Sequence, residues 1–424
     1  MLNVKGVRGA PDILPRETSS WRRVEEAARD LCLRYGYQEI RTPIFERTEL
    51  FVRGIGEGTD IVEKEMYTFT DQGQESLTLR PEGTAPVVRA YLEHHMAAQS
   101  PLVKVYYLGP MFRRERPQGG RYRQFHQLGV EAIGSGQPAL DAEMLALLSG
   151  LLQEELRIPD LELRLNSIGD AVCRPLIHSR LFAYFKDRAS SLCRDCQERL
   201  QRNPLRILDC KQDGCQRVVA EAPKPIESLC EPCAAHFSEV RSLLGLLNIA
   251  YTIDDRLVRG LDYYTRTTFE VINPHLGAQN ALAGGGRYDG LIEAMGGPPT
   301  PGIGFAVGLE RVIASLPAST EEDTALHGIY IATMGLEAHV TGMRLLQELR
   351  RSGVRGLIDL EARSLKGQLR QADKDRVRYC LIIGDEELAR GQATLRDMEK
   401  AEQQPVPLDH VVARLLELEG SRGR

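Results

Sequence analysis

Five arginines fall within residues 113–123, on either side of a Gly-Gly turn. They are Arg113, Arg114, Arg116, Arg121 and Arg123. Guanidinium groups bind phosphate oxygens bidentately and stay charged at any working pH. Glu115 is the only acid in the segment, so the cations repel one another unless an anionic partner neutralises them. The segment is therefore a candidate phosphate-binding site, and an exposed basic hairpin tip without a ligand is the alternative.

A second group with chemical potential is a cluster of cysteines, because six of the nine lie between residues 193 and 233. They form three pairs, Cys193-x₂-Cys196, Cys210-x₄-Cys215 and Cys230-x₂-Cys233. The spacing resembles that of zinc ribbons, and it predicts a structural Zn²⁺ held by Cys193, Cys196, Cys230 and Cys233, with Cys210 and Cys215 spare. A mixed ligand set and a degenerate, empty knuckle are the alternatives. The scattered cysteines, Cys32, Cys173 and Cys380, are predicted to be buried thiols.

Composition is that of an ordinary enzyme, with 424 residues of which 42% are hydrophobic and 27% charged. This is enough chain for two or three domains with their own cores, and it excludes a fibre or a disordered tail. The net charge of −5 argues against indiscriminate coating of nucleic acid, so any RNA contact must come from local basic surfaces. No leader peptide or membrane span is recognisable, and a cytoplasmic location is expected.

Hydrophobic periodicity predicts the elements that hold these residues. Two strands flank the arginines, so the arginines are expected on and around a hairpin loop. An amphipathic helix is expected near residues 19–35, a second helix at 139–157, and further strands at 161–166 and 250–253. Residues 302–311 alternate glycine with apolar residues before Arg311, a pattern typical of a packing device or of close approach by a ligand.

The chain is predicted to contain two domains, residues 1–320 and 327–424, separated by a segment of linker composition at 316–324. An insertion at about 170–240 interrupts the first domain and carries the cysteine cluster. The second domain alternates strands and helices, as expected of an α/β fold, with Val340, Met343, Leu346 and Leu349 facing inward from one helix. Its basic run, between Arg363 and Arg378, is either a solvated face or a binding surface.

Three segments, residues 36–45, 113–131 and 302–311, resemble motifs 1, 2 and 3 of the class II aminoacyl-tRNA synthetases. Residues 257–265 and 283–291 look like the histidine-specific signatures of the histidyl-tRNA synthetase family. The resemblance covers essentially the whole chain. It implies a mixed α/β fold, with an α+β catalytic domain on an antiparallel sheet and a smaller α/β anticodon-binding domain. It also implies a homodimer, with apolar surface supplied by Pro43, Ile44 and Phe45 of motif 1.

The activity implied by the resemblance is ATP-dependent activation of L-histidine, followed by transfer to tRNA(His). Joining a carboxylate to the α-phosphorus of ATP brings two anions together, so the chemistry needs cations and alignment and no general base. By resemblance, Arg113 holds the α-phosphate and the carboxylate, Arg311 holds the γ-phosphate, and Arg259 approaches the α-phosphate from the opposite side. The alternative for Arg259 is an ion pair with Asp254, Asp255 or Asp262.

The resemblance also implies the residues that bind each substrate. ATP would contact Glu115, Arg121, Arg123 and Phe125 in addition to Arg113 and Arg311. Histidine would contact Glu82, Thr84, Gln127, Glu131, Tyr263, Tyr264 and Tyr288, with Glu131 and Tyr264 on the imidazole and Glu82 and Thr84 on the ammonium. Gln127 and Glu131 lie four apart on one predicted strand and so face the same side, as does Phe125. The tRNA acceptor end would contact Arg116 and Gln118, and Mg²⁺ would bridge the phosphates of ATP without assigned protein ligands.

Two other functions share parts of this pattern. A histidine-sensing regulatory subunit of ATP phosphoribosyltransferase resembles the catalytic core but usually lacks the C-terminal domain and the Arg259 signature. An amino-acid adenylating ligase acting on something other than tRNA would share the arginines and would not need the C-terminal domain. This chain has both the C-terminal domain and the Arg259 signature, which favours the synthetase.

Overall fold

The computed structural model describes residues 4–116, 120–317 and 328–420. The chain forms two compact units, Met1–Pro317 and Ala318–Arg424. Most of the predicted linker at 316–324 lies outside the described residues. Within the described part of the chain, no helix has the length and apolar character needed to cross a membrane.

The first unit mixes helices with strands along the whole of its length. Its helices are α1 (Thr18–Arg34), α2 (Thr48–Ile55), α3 (Thr84–Glu93), α4 (Pro138–Ser149), α5 (Arg174–Lys186), α6 (Arg194–Arg202), α7 (Asp213–Val219), α8 (Glu231–Leu246), α9 (Leu291–Ala294) and α10 (Leu309–Ser315). Its strands are β1 (Gln38–Glu39), β2 (Phe45–Arg47), β3 (Tyr67–Thr70), β4 (Ser76–Leu79), β5 (Val103–Phe112), β6 (Gln124–Ile133), β7 (Glu162–Ser167), β8 (Thr252–Ile253), β9 (Thr265–Ile272), β10 (Ala281–Arg287) and β11 (Gly302–Gly308).

An eight-stranded sheet forms the centre of this unit, in the order β1-β5-β6-β11-β10-β9-β7-β8. The pairs from β5 to β7 are antiparallel, and only the outermost pairs, β1 with β5 and β7 with β8, are parallel. The predicted mixed fold with a largely antiparallel sheet is therefore confirmed. β1 lies at an edge and ends before Pro43, as expected for a residue that cannot donate to a ladder.

Helices α1 and α4 pack on the apolar side of this sheet. On α1 the buried residues Val24, Ala28 and Leu31 recur at helical spacing, which is why the sequence predicted this helix. The predicted helix at 139–157 begins as α4 and continues as a π-helical turn, Gly150–Glu155. One large core joins these helices to the sheet.

The insertion consists of α5 to α8 with short helical turns between them, and it has a separate small core. Helix α8 also contacts α4, which ties the insertion to the rest of the unit. A three-stranded sheet, in the order β2-β4-β3, lies outside the main sheet.

The second unit is a five-stranded sheet with helices, in the order β13-β12-β14-β15-β16. Its elements are β12 (Ile329–Thr333), α11 (Leu336–Arg351), β13 (Gly356–Ile358), α12 (Leu365–Lys374), β14 (Tyr379–Ile383), α13 (Asp385–Ala389), β15 (Gln392–Asp397), β16 (Gln403–Pro407) and α14 (Val411–Gly420). The alternating order was predicted, and β12 pairs in parallel with β13 and β14.

One prediction for helix α11 is wrong. Leu346 and Leu349 are buried, but Val340 and Met343 are 49% and 43% exposed. The buried stripe instead runs through Gly342 and Leu345. A Cβ at Gly342 would lie 2.8 Å from a Thr333 methyl group, so the glycine lets the helix approach β12 and sets which face turns inward.

Candidate active site

An open cavity with a water-accessible volume of about 190 Å³ lies on the main sheet of the first unit. Its walls include residues of β6, β10 and β11, the segment before α3, and the segment between β8 and β9. Twelve of the residues predicted from the sequence line it, namely Glu82, Thr84, Arg113, Glu115, Arg121, Phe125, Gln127, Arg259, Tyr263, Tyr264, Tyr288 and Arg311. The fold thus gathers into one pocket residues that are more than two hundred positions apart in sequence.

Strand β6 carries the floor of the pocket. Phe125, Gln127 and Glu131 lie at alternate positions of one unbroken strand and so share a face, as the sequence predicted. Glu131 is paired in register with Gly304 of β11. A Cβ at Gly304 would lie only 1.9 Å from a Glu131 carboxylate oxygen, so a glycine is required beneath this side chain. The glycine alternation of β11 therefore makes room for a pocket residue.

Glu131 is almost completely buried, at 1% exposure. The hydroxyls of Thr84 and Tyr288 each donate to one of its carboxylate oxygens at 2.7 Å. Burial raises the pKa of Glu131 to about 8, although both hydrogen bonds favour the charged form. Glu131 is not among the residues that line the cavity, and it reaches the pocket through these two lining partners. A carboxylate retains lone pairs for a further donor in this arrangement.

Glu82 occupies the start of helix α3. Its two carboxylate oxygens accept the backbone N–H groups of Thr84 and Ala85 at 2.7 and 2.9 Å. Burial raises the pKa of Glu82, while those backbone donors and Arg113 act in the opposite direction. The helix N-terminus thus holds a carboxylate in a fixed position at the pocket wall.

Arg259 lies over strand β10, where Gly284 provides the space. A Cβ at Gly284 would lie 2.3 Å from the guanidinium carbon, so only glycine admits the side chain in this position. The guanidinium forms an ion pair with Glu270 of β9. Burial lowers the pKa of Arg259, but Glu270, Tyr264 and Asp209 together outweigh burial and raise that pKa above its usual value. The Arg259 Nε is buried and has no hydrogen-bond partner among the described residues.

The acids proposed as alternative partners of Arg259 are engaged elsewhere. Asp254 pairs with Arg164 at 3.5 Å, and Asp255 pairs with Lys224 at 2.7 Å. Asp262 accepts a hydrogen bond from Asn203 at 3.0 Å. The alternative of an ion pair for Arg259 thus named the wrong partners, because the acid that reaches it, Glu270, comes from strand β9.

Arg113 and Arg311 approach the pocket from the motif 2 hairpin and from helix α10. Arg113 Nε donates to the Pro81 carbonyl at 3.0 Å, and its guanidinium lies 5.2 Å from the centre of the Phe125 ring. Arg311 donates to the carbonyls of Gly120 and Ala281 at 3.1 and 2.7 Å. Neither forms an ion pair with a carboxylate within the described residues, so their charges remain available to an anion.

The arginines also influence one another. Burial lowers the pKa of Arg311, and the positive charges of Arg121 and Arg113 add to that effect. Arg121 itself forms an ion pair with Glu115 at 3.0 Å. Four arginines and three glutamates line the pocket, and the two arginines without a carboxylate partner within the described residues, Arg113 and Arg311, suit an anion-binding pocket.

Three tyrosines, Tyr263, Tyr264 and Tyr288, also line the pocket. The ring of Tyr263 lies 4.7 Å from that of Tyr264 and 6.0 Å from that of Tyr288. The Tyr288 ring rests on Gly302, whose Cβ position would lie 2.3 Å from it. Gln127 contributes a buried side-chain oxygen that has no partner within the described residues. Aromatic walls with a few fixed polar atoms suit a small polar ring.

Three predicted residues lie away from this pocket or outside the described residues. Arg123 is half-buried and donates to the Glu115 carbonyl at 3.4 Å, and it does not line the cavity. Arg116 is exposed and does not line it either. Gln118 lies outside the described residues.

Sequence reasoning did not single out Tyr107, Glu270 or Gly284 as parts of the site. The Tyr107 ring fills the space above Gly83 and Gly129, where added Cβ atoms would meet it at about 2 Å. Pairing in register across β9 and β10 places Gly284 opposite Glu270, and this pairing cannot be read from a single sequence. The run of three consecutive glycines on β10, Gly284–Gly286, was the available signal.

The predicted zinc ligand set is wrong in its grouping. Cys193 and Cys196 converge with Cys210 and Cys215, whereas Cys230 and Cys233 converge with Asp170 and Cys173. The two C-x₂-C pairs begin different helices, α6 and α8, and each helix start faces its own partners. Cys32 and Cys380 are buried thiols, as predicted, and Cys173 is also buried but belongs to the second cluster.

Comparisons with known proteins agree with this geometry. The profile of the family described as histidyl-tRNA synthetase matches residues 9–312, and that of an anticodon binding domain matches residues 329–418. The histidine–tRNA ligase of Desulforamulus reducens is 52% identical over 96% of this chain and 97% of its own. That of Moorella thermoacetica is 52% identical over 96% of each chain. The solved apo structure of S. aureus histidyl-tRNA synthetase is 39% identical, covers 97% of this chain and 99% of its own, and superimposes with a TM-score of 0.82.

Proposed function

The chain belongs to the histidyl-tRNA synthetase family, and from this premise we propose how its pocket carries out the family's reaction. The chain is an aminoacyl-tRNA synthetase that activates L-histidine with ATP and transfers it to tRNA(His). Full-length similarity to histidine–tRNA ligases supports this activity and not that of a regulatory subunit. The convergence of Arg113, Arg259 and Arg311 on one pocket is the observation that carries the mechanism below.

In the first step, a carboxylate oxygen of histidine attacks the α-phosphorus of ATP, and pyrophosphate leaves. Arg113 and Arg259 are proposed to bind the α-phosphate and to neutralise the charge that builds up on it. Arg311 is proposed to hold the γ-phosphate, which aligns the leaving group with the attacking oxygen. These roles are supported by the lack of carboxylate partners for Arg113 and Arg311 within the described residues and by the unpaired Arg259 Nε. No side chain needs to remove a proton, because histidine enters as a carboxylate.

The adenine ring is proposed to stack on Phe125, beside the guanidinium of Arg113. Glu115 and Arg121, which pair with each other at 3.0 Å, lie at the same wall and would contact the nucleotide. Arg123 lies outside the lining, so its proposed role is indirect, through the Glu115 carbonyl that it contacts.

Histidine is proposed to bind between Glu82 and the tyrosine wall. Glu82 and Thr84 at the start of α3 would hold the ammonium group, and Gln127 would add its unpaired oxygen. Glu131 and Tyr264 are proposed to hydrogen-bond the imidazole nitrogens. A pocket with fixed polar partners rejects analogues that lack them far more strongly than an apolar pocket does.

Mg²⁺ fits this pocket as the ion of an ATP complex and not as a metal held by a protein cage. No cluster of three or more histidine, cysteine or acidic ligands surrounds the cavity within the described residues. Glu115 and Glu310 are the carboxylates of the lining with access to the phosphate region, and Glu310 already accepts the His126 backbone N–H at 2.8 Å. Mg²⁺ usually takes one or two carboxylates and otherwise phosphates and water, and it supplies charge neutralisation.

In the second step, a ribose hydroxyl at the 3′ end of tRNA(His) attacks the carbonyl of histidyl-adenylate, and AMP leaves. Arg116, which is exposed beside the pocket, is proposed to contact the acceptor end, together with Gln118. In the C-terminal unit, Lys366, Arg370, Lys374 and Arg376 are exposed and are proposed to face the anticodon arm. Arg363 and Arg378 pair with Asp359 and Asp397, and we do not include them in this surface.

A homodimer formed through motif 1 is also proposed. Phe45 and Phe69 are 51% and 44% exposed, and the register of the small sheet places them on the same face. Ile44, beside them, is 44% exposed. A cytoplasmic location is proposed because the tRNA substrate serves protein synthesis there.

The experiment that tests the mechanism is ATP–pyrophosphate exchange with each standard amino acid, followed by charging of total tRNA. We expect exchange with histidine alone, and charging in the same preparation. Histidine binding without exchange would contradict the proposed roles of the arginines. Exchange without charging would leave the activation pocket intact and contradict the roles proposed for Arg116 and the C-terminal unit.

A further inference from the structure

Four cysteines of the insertion come together at the start of two helices. Cys193 precedes α6, Cys196 lies in its first turn, Cys210 lies in the loop that follows, and Cys215 lies in the first turn of α7. The four sulfur atoms all lie within 4.8 Å of one another. We propose that this cluster is a structural Zn²⁺ site whose ion takes no direct part in the aminoacylation chemistry.

The spacing of the sulfurs distinguishes a metal site from a disulfide. The Sγ atoms of Cys193 and Cys210 are 3.9 Å apart. A tetrahedral site with Zn–S bonds of about 2.3 Å places neighbouring sulfurs at about 3.8 Å, whereas a disulfide needs about 2.05 Å. Four thiolates from a C-x₂-C pair and two further cysteines also complete the coordination of a structural zinc.

The cluster has a backbone donor, two helix N-termini and a guanidinium close to its sulfur atoms. The backbone N–H of Cys193 donates to the Cys215 sulfur at 3.1 Å. Cys193 caps α6, and Cys215 lies in the first turn of α7, where the helix dipole stabilises negative charge. Arg199, also on α6, interacts electrostatically with Cys196 and Cys210 and would offset part of the charge of a four-thiolate site.

A cluster of inert thiols in an apolar core is the alternative, and the size of this core argues against it. Helices α6 and α7 of the insertion are only nine and seven residues long, and five of the buried residues in the core of the insertion are cysteines. Small cores of this kind usually need a metal or disulfides for stability. Zinc would join the N-terminal ends of α6 and α7 to the loop that carries Cys210 between them.

The second cluster, formed by Asp170, Cys173, Cys230 and Cys233, offers a different ligand set, with three thiols and one carboxylate. Asp170 already accepts the Val172 backbone N–H at 3.0 Å through Oδ1. Its other oxygen pairs with Arg266 at 3.2 Å, so a fixed cation already occupies the position next to the carboxylate. This cluster therefore provides a matched control of similar cysteine content in the same insertion.

The proposed zinc site also supports the catalytic pocket from behind. Between Cys196 and Cys210, Asn203 donates to Asp262 at 3.0 Å, and Arg206 donates to the Arg259 carbonyl at 2.7 Å. The segment that the metal would fix at both ends therefore holds the backbone of Arg259. Loss of zinc should loosen this contact without removing any residue from the pocket.

The test is metal analysis of the full chain purified under reducing conditions without added zinc. We expect about one zinc per chain in the wild type and in Cys230→Ser, and at least a tenfold lower content in Cys210→Ser. A content of two, with one ion lost in each variant, would support the site and add a second. Absence of zinc, or its loss in Cys230→Ser but not in Cys210→Ser, would overturn the proposal.

A spectroscopic measurement keeps the test valid if Cys210→Ser fails to fold. Wild-type chain stripped of metal and titrated with Co²⁺ should develop the visible bands and the sulfur-to-metal charge-transfer absorption of a tetrahedral thiolate site, and Zn²⁺ should abolish them. Reduced chain that takes up Co²⁺ without these bands, or melts at the same temperature with and without a chelator, would refute a four-cysteine structural site.

Discussion

Replacement of Arg259 by alanine should slow activation of histidine far more than it destabilises the fold. The side chain lies over Gly284 at the pocket wall, and its buried Nε has no partner within the described residues. A guanidinium about 4 Å from a phosphate oxygen contributes about 4 kcal/mol at an effective dielectric constant near 20. Loss of one preorganised stabiliser of this kind typically costs about 10²–10³ in kcat. We therefore expect Arg259→Ala to lower the exchange rate by that factor.

The ion pair with Glu270 provides the control for this prediction. Glu270→Gln keeps the guanidinium in place and removes only its acidic partner, so exchange should fall by less than about tenfold. Arg259→Lys should give an intermediate rate, because it keeps a charge but not the bidentate geometry. Melting temperatures of all three variants, measured with histidine affinity, separate catalysis from folding and binding.

Two outcomes would refute this reasoning. If Arg259→Ala retained exchange within about threefold of the wild type, the arginine would not stabilise the transition state. If Glu270→Gln were as slow as Arg259→Ala, the ion pair would be a structural element of β9 and its neighbours. Full activity in Arg259→Lys would contradict only the bidentate geometry, because lysine keeps the positive charge.

Three further predictions concern other parts of the molecule. Gly304→Ala should raise the KM for histidine at least about tenfold and leave that for ATP nearly unchanged, because the new Cβ would meet the Glu131 carboxylate; equal effects on both substrates would contradict it. Since burial raises the pKa of Glu131 from 4.5 to about 8, the native state retains a proton that the unfolded chain releases. The contribution of Glu131 to the free energy of unfolding should therefore fall by about 1.4 kcal/mol for each unit that the pH rises between those two values, and denaturant unfolding of Glu131→Gln should lack this contribution. Phe45→Glu should convert the proposed dimer to a monomer in light scattering, whereas Val340→Glu, on an exposed face of the C-terminal unit, should not.

Much of the site could be predicted because its residues belong to local patterns. The arginine density around the hairpin and the parity of Phe125, Gln127 and Glu131 depend only on residue type and on strand period. Both features were correctly placed on β6 and the hairpin that it closes. The spacing of apolar residues likewise predicted helix α1, since a helix buries residues that lie three and four positions apart.

The parts that could not be predicted depend on contacts between distant segments. Glu270 reaches Arg259 because β9 and β10 pair in a particular register. The cysteine pairs have nearly equal spacing, so the sequence could not show that the loop carrying Cys210 folds back on α6 and that α8 begins elsewhere. On α11, Gly342 sets the buried face through its close approach to β12. A prediction based on the positions of apolar side chains does not take a glycine into account.

The glycines of β10 and β11 explain how a weak sequence pattern supports a demanding reaction. Gly284, Gly302 and Gly304 each lie beneath a different pocket side chain, and in each case an added Cβ would lie 2.3 Å or less from that side chain. The three side chains, Arg259, Tyr288 and Glu131, come from separate segments and are therefore held against the sheet by sterics and by hydrogen bonds or ion pairs. Charge stabilisation is most effective when the groups that provide it need not reorganise during the reaction. The alternating glycines thus act both as a packing device and as part of the site, since close packing of these side chains fixes where the anions can bind.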